Sequence, residues 1–159
     1  MKIKLFSKNA LIALCAGVSL VLASCDNDDD NPANDKMYTV SGDASGAQEV
    51  PAVTTAATGT LSGTYDSKTN VLQYNINWTG LSGDVSAAHF HGPALAGANA
   101  DPIIHLTVTT NGVNGNITGT STLHDSTEAH LLDGRLYYNL HTVLNPGGEI
   151  RGQVTTVSQ

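Results

Sequence analysis

The chain has 159 residues, only 13% of them charged, and its fourteen carboxylates outnumber seven basic side chains to give a net charge of −7. No basic stripe exists, so nucleic acid is excluded as a partner class: the acidic surface would repel a polyanion. No basic amphipathic face is present for lying on a membrane either.

Lys2, Lys4 and Lys8 precede an apolar run, Ala10 to Ala23, too short and wrongly flanked for a spanning helix. The run ends in Leu22-Ala23-Ser24-Cys25, which resembles a bacterial lipobox. That resemblance implies cleavage before Cys25 and a diacylglycerol on its thiol. An ordinary secretory cut after Ala23 or Ser24 is the alternative, and it would leave Cys25 a stray thiol in an oxidising compartment. Residues 1–24 are therefore expected to be a lipoprotein signal peptide. Residues 25–36, with Asp26-Asn27-Asp28-Asp29-Asp30-Asn31-Pro32, are expected to be a disordered acidic tether from lipidated Cys25. An acidic stretch just after a lipidated cysteine also resembles a surface-export signal of some Bacteroidetes-type lipoproteins. The expected location is the bacterial cell envelope, lipid-anchored, on the periplasmic or the surface-exposed side of the outer membrane.

Cys15 would leave with the signal and Cys25 would carry lipid, so residues 37–159 hold no cysteine. No disulfide, thiolate zinc site or cysteine nucleophile is then available. From Cys25 onward only Lys36, Lys68, Arg135 and Arg151 face all fourteen carboxylates, a net charge of −10.

From Met37 onward short strands alternate with Gly, Asn, Asp and Ser. Met37 to Gly42 opens one, and Gly59 to Tyr65 leads through the Asp66–Asn70 turn cluster into Val71–Trp78. In that last strand Leu72, Tyr74, Ile76 and Trp78 share one face, while Gln73, Asn75 and Asn77 share the other. Ala87 to His91, Ile103 to Val108, Gly115 to Leu123, Arg135 to Thr142 and Glu149 to Val157 supply the rest. Pro93 to Asp101 reads as a loop long enough to border a site. One short helix is expected, capped by Asp125 with Glu128 three residues on, and closed by glycine at Gly134. Seven or eight short strands without alternating helices predict an all-β fold, an antiparallel β-sandwich of Greek-key type, over residues 37–159.

The polar residues of this chain gather in few places. His89 and His91 stand one residue apart on a strand and so point to one face. With His141 they have the donor types of a copper or zinc site. Glu149 is a candidate fourth ligand, or an acceptor that orients a ligating ring. The competing reading is a buried hydrogen-bond cluster that holds the fold together. Glu149 and Arg151 share a strand face and Glu49 joins the candidates, as a structural or binding cluster. His105, His124 and His130 read as peripheral. Asn77-Trp78-Thr79 and Asn116-Ile117-Thr118 fit the glycosylation pattern, which means little in a bacterial lipoprotein. No Gly-x-Ser-x-Gly, paired-carboxylate or phosphate-cradling motif is present, so no catalytic residue is assigned.

Five ordered blocks carry a family resemblance. They are Ala47-Gln48-Glu49-Val50-Pro51-Ala52-Val53, Trp78-Thr79-Gly80-Leu81-Ser82-Gly83, Ala87-Ala88-His89-Phe90-His91-Gly92-Pro93-Ala94, Leu132 to Thr142, and Asn145-Pro146-Gly147-Gly148-Glu149-Ile150-Arg151-Gly152-Gln153. Together they resemble the CHRD domain, the module named after chordin, over nearly all of Met37 to Val157. Phe90 and Tyr138 depart from it, standing where aliphatic residues are commoner. The resemblance implies an extracellular β domain with a binding or structural role towards an extracytoplasmic protein or glycan. His-x-His-Gly is also similar to a copper-binding piece of copper/zinc superoxide dismutases, which implies the alternative: a metalloprotein for redox defence or metal handling, using His89, His91 and His141.

Overall fold

The computed structural model describes residues 35–159. The expected signal peptide, Cys25 and all of the acidic tether except Asp35 and Lys36 lie outside the described residues. Among those described, no helix is long and apolar enough to cross a membrane.

The described residues form nine strands and one α-helix: β1 (Met37–Ser45), β2 (Thr58–Asp66), β3 (Val71–Thr79), β4 (Val85–His91), β5 (Pro102–His105), β6 (Gly115–Thr122), α1 (Asp125–Leu132), β7 (Tyr137–Thr142), β8 (Ile150–Gln153) and β9 (Thr155–Ser158). The strands build one antiparallel sheet in the order β5-β4-β7-β8-β1-β2-β3-β6, with β9 paired to β1. The sheet folds over on itself. Tyr74 of β3 and Phe90 of β4, far apart in that order, meet edge to face at 5.5 Å. Such a contact adds about 0.5–1.5 kcal/mol beyond the area it buries.

Alternation explains the core. Leu72, Tyr74, Ile76 and Trp78 are buried and Gln73 and Asn77 exposed, as a half-buried strand requires. Val40, Leu61, Tyr65, Phe90, Tyr138, Leu140 and Ile150 join them in one cluster. The all-β antiparallel expectation is met, with one more strand than expected. The segment Glu149 to Val157 is two strands: β8 lies between β7 and β1, while β9 pairs with β1 alone. Val154 lies between them, fully buried, its N–H donating to Leu136 O.

Several boundaries move: β1 runs on to Ser45, past the expected Gly42, and β7 begins at Tyr137 and not at Arg135. β5 stops at His105, short of the expected Val108, although Leu106 beyond it is buried and its N–H donates to Ala88 O. In α1 the cap is His124, which makes no side-chain capping bond, and Asp125 is the first helical residue. Asp125 and Glu128 thus stabilise the first turn only through their charge against the positive helix end, not through the expected capping box. The C-terminus follows the expectation. Gly134 has φ +65, its N–H donates to Leu131 O, and the Arg135 N–H donates to His130 O.

Candidate functional site

In β4, Ala88 and Phe90 face the core, so Ala87, His89 and His91 take the opposite face. In β7, Tyr138 and Leu140 point inward and leave Tyr137, Asn139 and His141 on that same outer face. The antiparallel register sets Ala87 opposite His141, His89 opposite Asn139, and His91 opposite Tyr137. β8 adds Arg151 opposite Asn139, and β5 adds His105 opposite His89. Four neighbouring strands therefore gather imidazoles, an amide, a phenol and a guanidinium on one sheet face.

Two segments roof part of this face. The loop from Gly92 to Asp101 is fastened by Arg151, which donates from Nη2 to Ala98 O at 2.7 Å and from Nη1 to Asn99 Oδ1 at 3.2 Å. Asn99 Nδ2 in turn donates to Val50 O, joining this loop to the short 3-10 turn at Gly46–Gln48 and the residues after it. Roofing makes Arg151 only 1% exposed, and its guanidinium lies 3.4 Å above the Tyr137 ring centre. His91 stacks on the same ring at 4.7 Å and 8°. Strand order β4-β7-β8 puts His91 and Arg151 on either flank of Tyr137.

The three candidate histidines converge. One nitrogen from each of His89, His91 and His141 lies within 4.8 Å of the others. Two rings have fixed tautomers, because a carbonyl oxygen can only accept: His91 Nδ1–H donates to Ala100 O at 3.0 Å, and His141 Nδ1–H donates to Pro146 O at 2.9 Å. Their Nε2 atoms are then bare lone pairs. Nε2 of His91 is buried with no partner. Nε2 of His141 accepts from His89 Nδ1 at 3.1 Å.

The rings are held neutral. Burial, reinforced by His141, His91 and His105, pushes His89 down to about 4. Burial likewise lowers His91 against the opposing Ala100 carbonyl, and lowers His141 against that of Pro146. Neutral imidazoles with Nδ1–H tied to carbonyls are in the protonation state that metal ligands need. A tetrahedral ion with bonds of about 2.0–2.1 Å would set its nitrogens roughly 3.3 Å apart, so loading would draw the widest pair together by at most about 1.5 Å.

The acidic candidates separate. Glu149 is fully buried but meets no histidine. Its Oε1 accepts from Thr55 Oγ1 at 3.0 Å and from the Ser82 N–H at 2.9 Å, while Oε2 accepts from Ser82 Oγ and from Thr142 Oγ1 at 2.8 Å. Burial alone would raise this carboxyl, yet the donors from Ser82, Thr142 and Thr55 hold it below the usual carboxylate range. Both oxygens are taken, so Glu149 bolts two loops to the end of β7 and contributes neither a metal bond nor an ion pair with Arg151. Glu49 sits on the other side, 7% exposed, accepting from Asn139 Nδ2 at 2.9 Å. Burial pushes it up to about 7 although Arg151 pulls the other way. Gly148, at φ +124, lies so close to Asn139 and Glu49 that any side chain there would collide with them.

The structure thus brings together His89, His91 and His141, keeps Glu49 and Arg151 in the adjoining cluster, and places Glu149 apart. Sequence reasoning set His105 aside, yet its ring meets that of His89 edge to face at 4.7 Å. The missing signal was strand register: only pairing of β4 with β5 puts the two opposite one another. His124 and His130 stay at the ends of α1.

An antiparallel β domain with a roofed polar face and an imidazole cluster is a binding or structural module in its architecture. Residues 40–154 match the CHRD domain, and the chain belongs to that family. No curated protein and no solved structure matches the chain.

Proposed function

We propose that this protein is a lipid-anchored envelope module whose CHRD domain binds a copper or zinc ion through His89, His91 and His141. The observation that carries this reading is the unpartnered, buried Nε2 of His91 beside the lone pair of His141, with both rings oriented by backbone carbonyls. A buried polar atom without a partner costs about 1–3 kcal/mol, and a metal bond would satisfy it. Three neutral imidazoles leave a coordination position open, so the site suits metal handling as well as chemistry at the ion. The residues at this face supply no nucleophile or paired acid and base, and binding is the activity the side chains support.

The test is a competition titration of the purified full chain with Zn²⁺ and Cu²⁺, beside a His89→Ala/His141→Ala double variant whose fold is checked by circular dichroism. One ion per chain in the wild type and none in the folded variant supports the site. No uptake by the wild type, with the variant losing thermal stability, would assign the histidines to holding the fold.

A glycan partner has one observation in its favour, on the far side of the molecule. The registers set Thr60, Asn77 and Asn116 in one row, Ser62, Asn75 and Thr118 in the next, and Thr64, Gln73 and Thr120 in a third. A shallow depression of about 590 Å³ runs over the second and third of these rows, lined by hydroxyl, amide, glycine and Tyr74 groups without a formal charge. Such a surface suits a neutral hydroxylated polymer better than a charged one. Retardation of the wild type, but not of a Ser62→Glu/Thr118→Glu variant, in gels containing dextran or a soluble β-glucan would support it, and equal mobility would remove it.

A further inference from the structure

His105 is the residue of the histidine group that the three-ligand set leaves out. It is exposed, it stands on the edge strand β5, and it lies directly across from His89. Two imidazoles bound to one ion at about 2.0–2.1 Å hold their ring centres roughly 4.5–6.4 Å apart, depending on the bond angle. The His89 ring centre meets that condition with three others: His91 at 5.4 Å, His141 at 5.0 Å and His105 at 4.7 Å. His91 and His141, at 6.1 Å, meet it with one another. Strand order β5-β4-β7 puts His105 and His141 on opposite flanks of His89, so one ion does not take all four rings.

His89 is therefore common to two groupings, an inner trio and an outer pair. Its Nδ1 is turned to His141. The two nitrogens of an imidazole diverge, so Nε2 faces away from His141, and the strand order puts His105 on that side of His89. With the proton on Nδ1, donated to His141, that outward Nε2 is a bare lone pair. His91, by contrast, is 8% exposed and roofed by the loop that carries Ala100.

The geometry points to His105 as a loading ligand: a Zn²⁺ or Cu²⁺ ion from solvent is first held by His105 and the outer nitrogen of His89, and then passes to the inner trio. This rests on the metal-binding reading above. In the transfer the bonds to His105 and to His89 Nε2 break, while bonds to His89 Nδ1, His91 Nε2 and His141 Nε2 form. The proton on His89 Nδ1 moves through water to Nε2. The ion keeps its oxidation state, and no proton is gained or lost overall.

The experiment is stopped-flow uptake of Zn²⁺ by the full chain from a chromophoric chelator, comparing the wild type with His105→Ala and His124→Ala. His105 is exposed, so its removal leaves the core intact. The expected result is an association rate lower by about five-fold or more for His105→Ala, stoichiometry and equilibrium affinity within about three-fold of the wild type, and an unchanged rate for His124→Ala. An unchanged rate in His105→Ala overturns the loading role, as does equal slowing in both variants, which would mark general capture by surface histidines. Loss of equilibrium affinity in His105→Ala also overturns it, by making His105 a resident ligand. A wild type that takes up no zinc removes the inner site and the loading role together, whereas uptake at an unchanged rate removes the loading role alone.

Discussion

Nδ1 of His89 lies 3.1 Å from Nε2 of His141 across the β4–β7 pair, and a single proton occupies that gap while the rings are neutral. A metal ion bound as proposed would take the place of that hydrogen bond. The displaced proton has a home on the other nitrogen of His89, so binding should exchange a tautomer and release almost nothing. Calorimetric titrations at pH 7.5 in buffers of different ionisation enthalpy should give a proton release near zero per ion. A release close to one would mean that an imidazole or a bound water loses its proton instead.

Glu49 makes a prediction of opposite character. Its carboxyl is raised from 4.5 to about 7, so the folded state holds a proton that the unfolded chain has released. The sign follows directly. This group's stabilising contribution is fully present below about pH 4.5 and is lost as pH rises through 7. Glu49→Gln should match the wild type at pH 5 and exceed its stability at pH 8 by about 1–2 kcal/mol, allowing for screening. Denaturant unfolding at the two pH values measures it. Parallel curves would show that the carboxyl is already ionised in the folded state.

Glu149 runs the other way. Its folded-state carboxyl is lowered by Ser82, Thr142 and Thr55, so its contribution is present above about pH 4.5 and lost as pH falls through the lowered value. Glu149→Ala strands buried donors on three residues and should cost about 3–5 kcal/mol. Glu149→Gln keeps the acceptor on one oxygen and should cost less. Urea midpoints at pH 7 rank the three proteins, and a Glu149→Ala variant as stable as the wild type would contradict the bolt.

Arg151 reaches the histidines at second hand. It fixes Ala98 and Asn99, and Ala100 beside them accepts from His91. Lysine has neither the planar fork nor the stack on Tyr137. Arg151→Lys should weaken metal affinity by about 10-fold through the freed loop, the size typical of lost orienting contacts. A matched drop in Tm with no change in affinity would confine Arg151 to stability.

Much of this architecture was legible in the sequence, and for stated reasons. Period-two alternation placed Leu72, Tyr74, Ile76 and Trp78 inside, and the same parity put His89 and His91 on one face. Asp133-Gly134 marked a helix end that only glycine closes comfortably. What was not legible depends on which strand lies beside which. His105 meets His89 through the β4–β5 register, and no local pattern encodes that. Glu149 and Arg151 share parity, yet Glu149 precedes β8 and turns to Ser82 and Thr142 while Arg151 enters the roof. The split at Val154 is likewise a matter of pairing, since the chain leaves β7 there but stays on β1, with no turn residue to announce it.

The most direct measurement is the coordination shell of the copper- or zinc-loaded full chain by X-ray absorption at the metal edge. The account predicts three imidazole nitrogens at about 2.0–2.1 Å, falling by one in His141→Ala. A shell of oxygen donors, or a chain that retains no ion to measure, would contradict it.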